Sequence, residues 1–135
     1  MKIIKDLTEL IGKTPLLRLQ RLFPELNIYG KCEFMNPLSI KDRPVFQIIK
    51  DAEEQGELKK GDTVLECTSG NTGMAVAYIS AIRNYRAILV MSEIQSIERR
   101  QILKALGAEL ILTPAEFGKE GARQKLKEIL EENPE

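Results

Sequence analysis

Two short segments combine residue types suited to covalent and anion-binding chemistry. The first is Ser39-Ile40-Lys41-Asp42-Arg43, which puts a lysine at the opening turn of a helix that Ser39 is placed to cap. Unpaired backbone N–H groups gather positive potential at a helix start and disfavour a further cation there. A lysine so placed, particularly if desolvated, has a lowered pKa and offers a neutral amine able to form a Schiff base. The plainer alternative is a solvated surface lysine, as most lysines are. The second segment is Thr68-Ser69-Gly70-Asn71-Thr72-Gly73, lying between an apolar strand pattern and an apolar helix pattern. Parallel α/β sheets place ligands at such strand-to-helix junctions. The hydroxyls of Thr68, Ser69 and Thr72, the Asn71 amide and the free N–H groups of the helix start together make a receptor for a carboxylate or phosphate. The alternative here is an ordinary turn with a Ser/Thr helix cap.

Other chemistries fall away by composition. The chain contains no histidine, which removes Ser-His and Cys-His nucleophile pairs and His-based metal sites, so base catalysis rests on lysine or carboxylates. Cys32 and Cys67 match no metal spacing and read as reduced, buried small hydrophobes; no metal is expected. Neither a dinucleotide nor a Walker glycine motif is present. With 20 basic and 20 acidic residues the net charge is zero, so no basic footprint marks a nucleic-acid partner. The first ten residues interleave charges with apolar residues, unlike a signal peptide, and no apolar run is long enough to span a membrane, so a reducing cytoplasm is the expected location. Glu53-Glu54 and Glu131-Glu132 are expected to face solvent.

The elements that must hold the two segments follow from periodicity. From Gly61 onward, short apolar runs alternate with helical patterns, which predicts an α/β fold with a parallel sheet and flanking helices. Strands are expected at 63–66, 87–91 and 109–112, and helices at 72–84, 96–106 and 119–132. The first of these helices is apolar on most faces and should be enclosed. Ile102, Leu103 and Leu106 form the inward stripe of the second, with Ser96 as cap and Gly107 as left-handed stop, and Leu126, Ile129 and Leu130 share a face of the third. Before Gly61 a helix is expected near 6–11, an extended antiparallel pair at 16–19 and 28–34, and a helix from Ser39 to Gln55 stopped by Gly56. At 135 residues, a single domain is the default.

Taken together, these segments resemble fold-type II pyridoxal-phosphate enzymes, and within them the cysteine synthase (O-acetylserine sulfhydrylase) family. The resemblance rests on Ile11-Gly12-Lys13-Thr14-Pro15-Leu16, Asn36-Pro37, Ser39-Ile40-Lys41-Asp42-Arg43, Gly61-Asp62-Thr63, Glu66 with the 68–73 loop, Ser96-Ile97-Glu98-Arg99-Arg100 and Leu106-Gly107-Ala108-Glu109. It implies that pyridoxal 5'-phosphate is the cofactor, held covalently by Lys41, with Asn71 on the ring hydroxyl. It also implies that Thr68, Ser69, Gly70, Asn71 and Thr72 take the substrate carboxylate. The implied reaction is cysteine biosynthesis from O-acetylserine and sulfide. Implied partners are a second copy in a homodimer, and the C-terminal tail of serine acetyltransferase gripped at the loop.

The chain departs from the family pattern in identifiable places. The family's second half supplies a glycine-rich cup for the cofactor phosphate, and no such loop follows Gly107; Gly118 and Gly121 stand in an unrelated context. The chain is therefore expected to be an N-terminal half that needs a C-terminal half. Residues 1–35 form the segment that in the family packs on the large domain, and 36–135 form the α/β core. Between Pro37 and Ser39 there is one residue fewer than usual, and Cys67 stands where proline is usual. The competing expectation is a non-catalytic binding module that grips a partner's terminal carboxylate, or self-associates to cover Leu16, Leu17, Ile28 and Phe34.

Overall fold

A computed structural model describes residues 3–133. Its centre is a parallel three-stranded sheet of β3 (Thr63–Cys67), β4 (Arg86–Ser92) and β5 (Glu109–Thr113), in the order β3-β4-β5. Ahead of it come β1 (Leu16–Arg18) and β2 (Tyr29–Lys31), an antiparallel pair. The helices are α1 (Asp42–Gln55), α2 (Asn71–Arg83), α3 (Ile97–Ala105) and α4 (Gly118–Glu132).

The uninterrupted apolar run in β4 has a direct cause. As the middle strand it is covered on both faces, and Ala87, Leu89, Val90 and Met91 are all buried. Side chains alternate along a strand. Ala87, Leu89 and Met91 join Ala75, Val76 and Ile79 of α2 and Leu103 of α3 in one core cluster. Val90, out of phase with them, shares a cleft wall with Ala122 of α4. The sheet is thus sandwiched, with α2 and α3 on one face and α4 on the other. Val45 and Ile49, four apart on α1, extend the core cluster along α2. α2 is enclosed from Ala75 to Ser80, as its apolar faces require.

Helix ends follow the expected chemistry where local residues decide them. The Ser96 hydroxyl accepts from the Arg99 N–H at 3.4 Å, and Gly56 takes φ 74° after α1. Asn84 closes α2 at φ 63°, a conformation that asparagine tolerates among non-glycine residues.

Several expectations need correction. Residues 7–10 form a 3-10 turn and not an α-helix, with the Asp6 carboxylate accepting from Thr8 N–H at 2.8 Å. The second extended stretch ends at Lys31, because the chain tightens into another 3-10 turn at Glu33–Met35. Ser39 does not cap α1. The helix begins at Asp42, whose Oδ2 reaches back to accept from Leu38 N–H at 2.8 Å and Ser39 N–H at 3.1 Å, while Ser39 Oγ accepts only from Lys41 N–H. Ile102 and Leu130 are exposed, leaving Leu103 and Ala122 as the buried residues of α3 and α4. Glu53 does not face solvent: it accepts from the Tyr85 hydroxyl at 2.8 Å and Arg83 at 3.4 Å. Both cysteines are free, but only Cys32 is buried, Cys67 being half-buried.

Candidate active site

The 68–73 loop lies at the carboxyl end of β3 and runs into α2. Its hydroxyls are not spent on capping. Gly70 is the N-cap residue and supplies no side chain, and the closest local bond is a long 3.4 Å contact from Gly70 N–H to Thr68 Oγ1. Among the described residues, the side chains of Ser69, Asn71 and Thr72 make no hydrogen bond, and the opening N–H groups of α2 lack helical partners. Polar groups gathered and left unbonded at a helix start fit an incoming carboxylate. The Ser/Thr-cap alternative is not met, because Gly70 holds the cap position.

Close packing sets the loop's position. A Cβ on Gly73 would stand 2.8 Å from Thr68 Cγ2 and 3.4 Å from Leu89 Cδ1, so only glycine lets Thr68 lie back on α2. On one side of the loop is a cleft of about 230 Å³, with Thr68, Ser69 and Gly70 facing Ser92 at the end of β4, Gln95 just after it, and Lys119 and Arg123 on α4. On the other side a cleft of about 200 Å³ brings Ser69, Gly70 and Asn71 to Arg99 and Met74. Arg99 Nη1 donates to Ser69 O at 3.4 Å. Cations therefore stand on both sides of the loop.

Lys41 is the N-cap residue of α1 and is exposed, as the solvated alternative has it. It lines neither cleft, and neither does Thr72. Its turn is nonetheless firmly held. Asp42 beside it is fully buried, fixed through Oδ2 to the Leu38 and Ser39 N–H groups. Asp42 Oδ1 and the Tyr78 hydroxyl of α2 are both buried without a partner at hydrogen-bonding geometry, yet burial and the nearby Asp42 charge raise the Tyr78 pKa. On the other side Arg43 Nε donates to Glu33 Oε2 at 2.6 Å, and its Nη2 donates to Gly12 O, Thr14 Oγ1 and Glu33 Oε1 at 2.8–3.0 Å. Asn36 closes the network, accepting from Gly12 N–H at 2.9 Å and donating to Glu33. Hydrogen bonds from Arg43 first, then from Thr14, hold the Glu33 carboxyl down at about 2.

Near the loop, burial raises the pKa of Glu66, and burial with the adjacent Glu66 charge raises that of the Cys67 thiol. A thiol pushed upward is poorly suited to act as a nucleophile. Among the described residues no group of three His, Cys, Asp or Glu side chains could hold a metal, and no helix is long and apolar enough to cross a membrane.

Sequence reading did not single out Ser92, Gln95, Lys119 or Arg123 as cleft residues. Ser96-Ile97-Glu98-Arg99-Arg100 did contain Arg99, but nothing in the spacing of Lys119 and Arg123 separates them from a solvated helix face.

A doubly covered parallel sheet with an unbonded polar loop at its strand ends defines the class of α/β enzymes that bind small ligands at strand-to-helix junctions. Within that class the identity is specific: the model of the family described as pyridoxal-phosphate dependent enzyme matches residues 7–135, and the chain belongs to that family. It is 48% identical to a "Probable cysteine synthase" of Bacillus subtilis (strain 168), over 99% of this chain and 44% of the relative. It is 43% identical to an O-ureido-L-serine synthase of Streptomyces lavendulae, over 97% of this chain and 41% of the relative. The crystal structure of a cysteine synthase (OASS) from Entamoeba histolytica superposes with a TM-score of 0.90 at 40% identity, covering 98% of this chain and 41% of that one. The fold is that of fold-type II pyridoxal-phosphate enzymes, and the chain spans less than half the length of the relatives it matches.

Proposed function

We propose that this chain carries the lysine and the carboxylate-binding loop of a cysteine synthase, completed by a C-terminal portion that cradles the cofactor phosphate. Residues 36–135 would be its α/β core, and the first 35 residues the segment that packs on that further portion. The observation carrying the reading is the set of unbonded polar groups on the 68–73 loop, sited at a strand end of this fold.

The donor set fits pyridoxal phosphate in part. Lys41 would hold it covalently and Asn71, exposed at the loop, would bond the ring hydroxyl. When bound, the pyridine ring supplies an electron sink for charge left on the substrate's α-carbon. The chain's own residues do the rest. Thr68, Ser69, Gly70, Asn71 and Thr72 receive the carboxylate of O-acetylserine, orienting the α-proton toward Lys41. Lys41, freed as an amine when the substrate's own amine takes its place, would take that proton; acetate leaves with the Cβ–O electron pair, hydrosulfide forms the new S–Cβ bond, and Lys41 would return the proton to the α-carbon. Closure of the loop excludes water from the reacting centre.

Reconstitution tests this reading. The chain combined with the C-terminal portion of the Bacillus subtilis relative and pyridoxal phosphate is expected to form cysteine, and Thr68→Ala is expected to raise KM for O-acetylserine. A Thr68→Ala variant with unchanged KM would remove the loop from substrate binding.

A second reading draws on exposed apolar residues. Leu16, Leu17, Ile28, Tyr29 and Phe34 all face solvent, Phe34 at 83%. Such a surface suits a homodimer or a docked C-terminal portion. Capture of a partner's C-terminal carboxylate, such as the serine acetyltransferase tail, would use the same loop without a cofactor. A chain that is monomeric by light scattering and binds no such tail would dismiss this version.

A further inference from the structure

We propose that Tyr78 is a positioning residue for the reacting lysine: its hydroxyl donates to Asp42 Oδ1 and so holds the Lys41 turn of α1 in a fixed place relative to the start of α2. This rests on the reading that Lys41 is the lysine that holds the cofactor.

The pairing joins two buried groups of opposite hydrogen-bonding kind. Asp42 is 0% exposed and Tyr78 5%. Among the described residues, Asp42 Oδ1 and the Tyr78 hydroxyl have no hydrogen-bond partner at full geometry. The phenol can donate, and a carboxylate can only accept. Left apart in an apolar core, each is costly; joined, both are satisfied. The two are close neighbours: after burial itself, the Asp42 charge and hydrogen bonding to Asp42 push the Tyr78 pKa up, although the atoms stop short of a fully formed bond. Val45, one turn along α1 from Asp42, lies in the same core cluster as Tyr78.

The bond would tie together the two parts that the reaction needs aligned. On α1, Asp42 Oδ2 accepts from the Leu38 and Ser39 N–H groups at 2.8 and 3.1 Å. Lys41 sits between these residues and Asp42, with its N–H on Ser39 Oγ at 3.1 Å and its carbonyl accepting from Val45 N–H at 3.2 Å. On α2, Tyr78 follows Asn71 by seven residues, so roughly 10 Å of helix links it to the 68–73 loop. A carboxylate held at both oxygens has one orientation, and the lysine turn takes its place from it. An apolar pair of the same shape would join the helices at lower cost but would fix no direction.

Tyr78→Phe keeps the ring and removes only the hydroxyl, and two measurements read the effect. Hydrogen–deuterium exchange of the chain is expected to quicken about tenfold or more at the Leu38 and Ser39 N–H groups, with the cooperative urea transition kept. In the chain combined with the C-terminal portion of the Bacillus subtilis relative and pyridoxal phosphate, kcat is expected to fall about ten- to hundredfold, the scale of a misplaced reacting group. KM for O-acetylserine should stay within about twofold, the reverse of Thr68→Ala, and borohydride labelling of Lys41 should fall. Unchanged exchange would overturn the inference. So would faster exchange with unchanged kcat and labelling, a KM that rises as much as kcat falls, or loss of the urea transition, each of which leaves the hydroxyl a structural role only. An unsubstituted assembly that neither labels Lys41 nor forms cysteine would remove the lysine reading, and this inference with it.

Discussion

Replacing Gly73 with alanine probes how closely the 68–73 loop is pressed onto α2. The new Cβ would meet Thr68 Cγ2 at 2.8 Å, nearer than carbon atoms tolerate, and Leu89 Cδ1 at 3.4 Å. Leu89 is fully buried and cannot retreat, so Thr68 must swing away. Overpacking of this kind costs about 1–3 kcal/mol. Alanine in place of glycine within a helix returns about 1 kcal/mol. The expected outcome for Gly73→Ala is therefore a loss of about 0–2 kcal/mol. In a Thr68→Ser background the clashing methyl is gone while the hydroxyl remains, and the same substitution should become stabilising by up to about 1 kcal/mol. Urea denaturation of the four members of this cycle measures the coupling, expected at about 1–3 kcal/mol. Effects that add within about 0.5 kcal/mol would refute the contact and with it the account of how Thr68 is placed.

Other outcomes follow from the same geometry. Leu103→Ala, at a site 1% exposed, should cost about 2–5 kcal/mol, whereas Ile102→Ala beside it, at 47%, should cost under about 1 kcal/mol in the same denaturation assay. The Glu33 carboxyl is held at about 2 against an ordinary 4.5. Because its folded value is the lower one, its stabilising effect is complete above about 4.5 and fades as pH falls toward 2, so Glu33→Gln should flatten the stability curve in that window. Asp42→Ala strips the acceptor from the Leu38 and Ser39 N–H groups and should cost about 2 kcal/mol or more, with faster amide exchange around Lys41.

The part of the fold after Gly61 was legible because burial there follows chain periodicity. β4 is covered on both faces and so reads as an apolar run, and α2 is enclosed and so reads apolar on most faces. The first sixty residues were less legible because contacts distant in sequence shape them. Arg43 binds Glu33, Thr14 and the Gly12 carbonyl, and Asn36 binds Gly12, none of which any local window contains. The same applies to Ser39, whose expected capping role fell to Asp42 reaching backwards. At the site, the polar composition of the 68–73 loop was legible. Its unbonded state became visible only when Gly70, with no side chain, proved to be the cap. Lys119 and Arg123 were hidden because charges on an amphipathic helix look alike until one face is seen to border a cleft.

Lys41 is the residue proposed to hold the cofactor. The most direct measurement is borohydride trapping of the chain with pyridoxal phosphate, in the presence of a relative's C-terminal portion, followed by peptide mass mapping. A reduced adduct confined to the peptide containing Lys41, and absent from Lys41→Ala, is expected. Labelling at another lysine, or none even with the complementing portion, would contradict it.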